Sequence, residues 1–187
     1  MIIRNGIVYD PLNGIKGEKM DLFVKDGKIA ERADGGEIDA SGMIVFPGGV
    51  DIHSHIAGSK VNLGRLMRPE DHRRDPVPKT DLTRSGVGYT VPTTFITGYR
   101  YAILGYTTVM EAAVPPLSAR HAHEELNDIP IVDKGTFTLM GNNHFVMKYI
   151  AAGNLEKLKN FVGWLLKATK GYAVKMVNPG GVENWKW

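Results

Sequence analysis

Two histidines, His53 and His55, close the run Pro47-Gly-Gly-Val-Asp-Ile-His-Ser-His55. The run reads as a buried β-strand, and side chains two apart on a strand share a face, so both rings can reach one point. Histidine is the commonest metal ligand among side chains, and two converging imidazoles suit a bound ion. Two unrelated polar residues at a strand end would give the same triplet, and spacing alone leaves both readings open. Lys175 is the second chemically conspicuous residue, placed in the apolar run Tyr172-Ala-Val-Lys-Met-Val177. A lysine there can simply stretch its amine to solvent. Alternatively, a desolvated neutral amine can add CO2 and become a carbamate, whose two oxygens suit a bridge between two metal ions.

Other candidates are weaker. The polar, glycine-rich stretch from Ala57 to Thr97 carries Arg65, Arg68, His72, Arg73, Arg74 and Arg84. It is too long for a mere connection and reads as a functional loop, in which Arg68, Arg73 and Arg74 are candidates for carboxylate binding. A solvated loop or a contact with another protein chain is the competing reading, and His72 reads as structural. His121 and His123 fall on a predicted helix, where residues two apart diverge, so they read as surface side chains. His144 follows the third predicted strand and is a candidate pocket residue. Glu111 ends the second strand and can orient a ligand or serve as a local hydrogen-bond acceptor.

Composition narrows the possibilities. The chain has 187 residues, 43% of them hydrophobic and 23% charged, enough for a real core. Its net charge of +3 comes without a basic block or an aromatic platform, which gives no support to nucleic-acid binding. No apolar run is long enough to span a bilayer and the first residues lack a signal-peptide layout, so the expectation is a soluble, cytoplasmic protein. With no cysteine, disulfides, thiolate ligands and iron–sulfur ligation are excluded from this chain. Any metal must sit on nitrogen and oxygen.

These residues need a scaffold. Asn5-Gly6 and Asp26-Gly27 each separate two apolar segments and predict type I′ hairpins. A third strand at 37–40, a Ser41-Gly42 turn and the run 43–46 complete a small antiparallel β-unit over residues 1–46. From 47 to 187 the pattern changes to strands alternating with helices, which predicts a parallel sheet. The strands fall at the histidine run, at 107–112, within 129–139 and at 172–177. Helices are predicted at 99–105, at 117–126, at 143–152 and after Asn154, the last stopping at Gly171. Four strands are half of a (β/α)8 barrel, which takes about 250 residues. The chain therefore reads as the N-terminal part of a longer protein, an α/β fold with an incomplete barrel.

A β-unit, then Asp51-x-His53-x-His55, then a lysine ending the fourth strand resembles the amidohydrolase superfamily. Within it, the stretches 61–75, 93–101, 105–113, Gly141-Asn-Asn143 and Val177-Asn-Pro-Gly-Gly181 are similar to the A subunits of formylmethanofuran dehydrogenases. That resemblance implies His53 and His55 on one zinc, bridged to a second zinc by carboxylated Lys175, with further ligands and a catalytic aspartate from later strands. It implies interconversion of formate plus methanofuran with N-formylmethanofuran, Lys175 being catalytic. It also implies partner subunits that carry a tungsten or molybdenum pterin and iron–sulfur clusters. Arg68, Arg73, Arg74 and His144 would then face the furan substrate or formate. A stand-alone amidohydrolase of the dihydroorotase or hydantoinase kind, and a metal-free scaffold protein within a complex, are the rival readings.

Overall fold

The computed structural model describes residues 1–67 and 92–177. The chain divides into two compact units between Gly48 and Gly49. In the first unit, β1 (Ile2–Asp10), β2 (Ile15–Lys25) and β3 (Lys28–Ala30) run antiparallel in the order β3-β2-β1. Two short strands, β4 (Glu37–Asp39) and β5 (Ile44–Val45), join β1 in parallel. Arg4 crosses this sheet and pairs with Asp21 at 2.8 Å and Glu37 at 2.6 Å, holding both carboxyls below the usual carboxylate range.

Asp26 and Gly27 have φ of 52° and 73°, the two left-handed residues that a type I′ turn between β2 and β3 requires. Asn5-Gly6 does something else. Here β1 continues straight through, with Asn5 at φ 60° and a register slip opposite β2 between Ile3 and Gly6. A bulge and a tight hairpin both need φ > 0, so the dipeptide alone does not distinguish them. The reversal comes at Asp10–Gly14 instead, where a short 3-10 turn over Pro11–Asn13 ends on Gly14 at φ 78°.

The second unit holds four parallel strands in the order β6-β7-β8-β9: Gly49–Ser54, Tyr106–Val114, Asp133–Leu139 and Ala173–Lys175. The helices are α1 (Ser59–Met67), α2 (Thr94–Ile103), α3 (Ala119–Asn127), α4 (His144–Ala151) and α5 (Leu155–Thr169). This is a curled parallel sheet consistent with part of an amidohydrolase barrel. β7, paired on both sides, has the continuously buried run Val109–Val114 expected of an inner strand. β6 departs from the expected buried strand: Val50 and Ile52 are 58% and 64% exposed. Among the described residues only β7 pairs with it, so one edge of β6 carries no neighbour.

Capping explains where several helices begin. Thr93 Oγ1 accepts the Ile96 N–H at 3.3 Å, starting α2 five residues before the expected Tyr99. Asn143 and Asn154 cap α4 and α5 in the same way. At the far end of α5, Lys170 takes the left-handed conformation (φ 51°) expected of Gly171. The glycine is needed for a different reason: a Cβ at 171 would lie 2.0 Å from Thr138 Oγ1. At Gly98 the obstacle is backbone, since a Cβ there would overlap Pro130 O. Gly98→Ala should cost about 2–3 kcal/mol through overpacking between α2 and the segment before β8, read as a lowered urea midpoint. An unchanged midpoint would mean that this contact is not close in solution.

Candidate metal centre

His53 is the penultimate residue of β6, and His55 lies just beyond it. Their rings meet edge to face, centroids 5.6 Å apart at 90°. Lys175 is the last residue of β9, and its Nζ lies 3.4 Å from His53 Nδ1 across 122 residues of sequence. In a flat sheet three strand spacings would separate β6 from β9 by about 14 Å, more than a lysine side chain spans. Curling of the sheet therefore brings the pair together at the carboxyl ends of the strands, where barrel enzymes place their chemistry. Both His53 and His55 are exposed and Lys175 is half-buried.

Two carboxylates hold the strand end in place. Asp51 accepts the His53 N–H at 2.9 Å through Oδ1 and the Tyr101 hydroxyl at 2.9 Å through Oδ2. Burial first, and then the bond to Asp51, push the Tyr101 phenol up to about 12. A folded value raised above the ordinary ~10 means that this contribution is full below pH ~10 and is lost as pH rises toward ~12. Tyr101→Phe should cost about 1 kcal/mol at neutral pH and remove that alkaline fall in stability. The same alkaline fall in the variant would exclude Tyr101 as its source.

Glu111, on β7, is buried, with its side chain 2% exposed. Its Oε1 lies 3.0 Å from His55 Nδ1, and Oε2 accepts the Ile56 and Ala57 N–H groups at 2.6 and 3.0 Å. A cavity of about 180 Å³ adjoins His55, lined also by Ile56, Val61, Arg65, Pro92, Thr97 and Tyr101.

Arg65 belongs to the structure of this region and not to its open chemistry. Its guanidinium donates to Pro92 O at 3.1 Å, Ile56 O at 3.0 Å and Asn62 Oδ1 at 3.0 Å, and pairs with Glu125 at 3.4 Å. Arg68, His72, Arg73, Arg74 and Arg84 lie outside the described residues. His144 starts α4 and is exposed, lining an apolar cavity of about 760 Å³ with Pro115, Pro116, Phe145, Phe161 and Trp164 among others. None of His53, His55 and Lys175 lines that cavity. His121 is exposed, with Nε2 2.6 Å from Glu125. His123 is half-buried, with Nε2 2.9 Å from Thr169 O, so it is less open than the expected surface side chain.

In the sequence Arg65 stands out only as one of several arginines, and nothing there marks Tyr101 or Glu125. Arg65 and Glu125 are 60 residues apart, and Tyr101 is 50 from Asp51, so no local pattern announces either pair. The donor set fits part of a metal site: two imidazoles beside an amine that CO2 can convert to an oxygen ligand. Among the described residues, no group of three or more His, Cys, Asp or Glu side chains converges. Full coordination therefore needs donors beyond these.

The model of the amidohydrolase family matches residues 36–187, and the chain belongs to that family. It is similar to Protein FwdA of Methanocaldococcus jannaschii, with 57% identity over all of this chain and 33% of the relative. It is also similar to the A subunit of the formyltransferase/hydrolase complex Fhc of Methylorubrum extorquens, 34% identical over 98% of this chain and 33% of that protein. The crystal structure of that formyltransferase/hydrolase complex (FhcABCD), in complex with methylofuran, superposes with a TM-score of 0.83 at 34% identity. The match covers 99% of this chain and 34% of the other. The chain thus spans about a third of the length of these relatives.

Proposed function

We propose that this chain supplies part of the A subunit of a formylmethanofuran dehydrogenase, a metal-dependent amidohydrolase that interconverts formate plus methanofuran with N-formylmethanofuran. One observation carries the reading: Lys175 Nζ stands 3.4 Å from His53 Nδ1 in a chain similar throughout its length to FwdA and to the Fhc A subunit. In this reading His53, His55 and Lys175, carboxylated at Nζ, would together hold a pair of zinc ions. Such a pair, when bound, acidifies a bridging water and polarises the formyl oxygen.

The chain's own residues prepare that site. Lys175 attacks CO2 through its neutral amine; the N–C bond forms as one C=O π pair moves onto oxygen, a proton leaves from nitrogen to water, and the resulting carbamate anion offers two oxygen donors. Asp51 fixes the backbone at His53, which limits the positions the imidazole can reach. Remaining ligands and a catalytic aspartate would come from outside the described residues. The tungsten or molybdenum pterin and the iron–sulfur clusters of such a complex are assigned to partner subunits, a division of labour that the absence of cysteine from these 187 residues fits. No described helix is long and apolar enough to cross a membrane.

Arg68, Arg73 and Arg74 are assigned to carboxylates of the furan substrate or to formate, on the strength of bidentate guanidinium–carboxylate pairing. Replacing all three by alanine in the full-length protein should raise KM for the furan substrate about tenfold or more, with kcat less affected. An unchanged KM would reject the assignment. The function itself is tested by expressing the full-length protein with CO2 supplied, counting bound metal and assaying formylmethanofuran hydrolysis. About two metals per chain and release of formate are expected. Less than about one metal per chain and no formate would favour a scaffold role.

A further inference from the structure

The proposed reaction gives Glu111 no task, yet its carboxylate is among the most deeply buried polar groups described. Burying a carboxylate is costly unless hydrogen bonds compensate it. Three backbone N–H groups and one ring nitrogen are disposed around it. The Ile56 and Ala57 amides point to Oε2, and the Ala113 amide at 3.3 Å and His55 Nδ1 at 3.0 Å point to Oε1. With both oxygens taken as acceptors, the ring nitrogen facing Glu111 must carry its hydrogen. That leaves His55 Nε2 as the nitrogen with a free lone pair. The same two oxygens tie the chain just after His55 to β7, fixing both the tautomer and the course of the backbone that carries the ring.

We propose that Glu111 is a positioning residue for the metal ligand His55, selecting the tautomer that presents Nε2. The inference rests on the metal-site reading of His53, His55 and Lys175. Carboxylates that hold a ligating histidine through its second nitrogen typically change metal affinity 10–100-fold when removed.

Glu111→Gln separates this role from simple stapling of the backbone. The glutamine oxygen can still accept from Ile56 and Ala57, but its NH2 then faces His55 Nδ1 and requires that nitrogen to be the acceptor, so the tautomer reverses. The experiment uses the full-length protein with 13C,15N-labelled histidine, the His55 signal being assigned by His55→Asn. Tautomer is read by NMR in the metal-free protein, zinc affinity by chelator competition, and folding by thermal unfolding. Expected are Nδ1–H in the native chain, Nε2–H in Glu111→Gln, and zinc bound about 10–100-fold more weakly by the variant. Nε2–H in the native chain overturns the proposal whether or not the variant folds. So does a folded variant whose zinc affinity matches the native one. A native chain that binds no zinc fails differently: it removes the metal-site reading and this role with it, while the tautomer measurement still reports whether Glu111 governs the ring.

Discussion

Lys175→Ala is expected to lower formylmethanofuran hydrolysis by the full-length protein on the order of 10³-fold or more, and to reduce bound metal from about two ions per chain to about one or fewer. The size follows from what the side chain is asked to do. A carbamate at Lys175 would supply a negative charge and oxygen donors to the metal site, and losing several kcal/mol of charge stabilisation in the transition state corresponds to three or more powers of ten in rate. Lys175→Arg is the informative companion, because it keeps a long cationic side chain but its guanidinium does not form the carbamate. It should be as inactive as the alanine variant. An arginine variant with substantial activity and full metal content would show that Lys175 acts through its charge, next to His53 at 3.4 Å, and not through CO2.

The largest expected effect on stability lies at the cluster between α1 and α3. Glu125, its side chain 13% exposed, accepts the Gly58 N–H at 2.8 Å, bonds to Asn62 and His121, and pairs with Arg65. Burial pulls the Arg65 guanidinium below its usual range, and Glu125 is the main group opposing that pull. Glu125→Ala would leave Arg65, 11% exposed, without its counter-charge and the Gly58 amide without its acceptor. A cost of about 3–5 kcal/mol is expected, read from urea unfolding of the full-length protein. Arg65→Met should cost less, about 2 kcal/mol, because Glu125 keeps the Gly58, Asn62 and His121 donors while the methionine refills the volume. Equal losses, or losses below about 1 kcal/mol, would show that the pair is solvated and does not hold α1 in place.

Fold class was legible because it rests on local signals. Alternation of strands and helices, the Asp26-Gly27 turn and the asparagine caps at 143 and 154 are encoded within a few residues of where they act. Signals with two physical solutions were not. Asn5-Gly6 satisfies a bulge as well as a hairpin, and Gly171 owes its place to a close approach by Thr138 that sequence does not display. The site divides in the same way. His53 and His55 are readable from the period of a strand. The meeting of His53 with Lys175 depends on sheet curl, which no local pattern specifies; the expectation of it rests on family resemblance. Glu111 is a candidate in the sequence, but its partner, like those of Tyr101 and Arg65, lies some 50–60 residues away, and only the folded chain reveals these pairings.

The most direct test is to grow the full-length protein with 13CO2 and record the 13C NMR spectrum of the native form beside that of Lys175→Ala. A labelled carbamate at about one per chain, absent from the variant, is the predicted result. Identical spectra, with Lys175 present as a free amine in metal-loaded protein, would contradict the account.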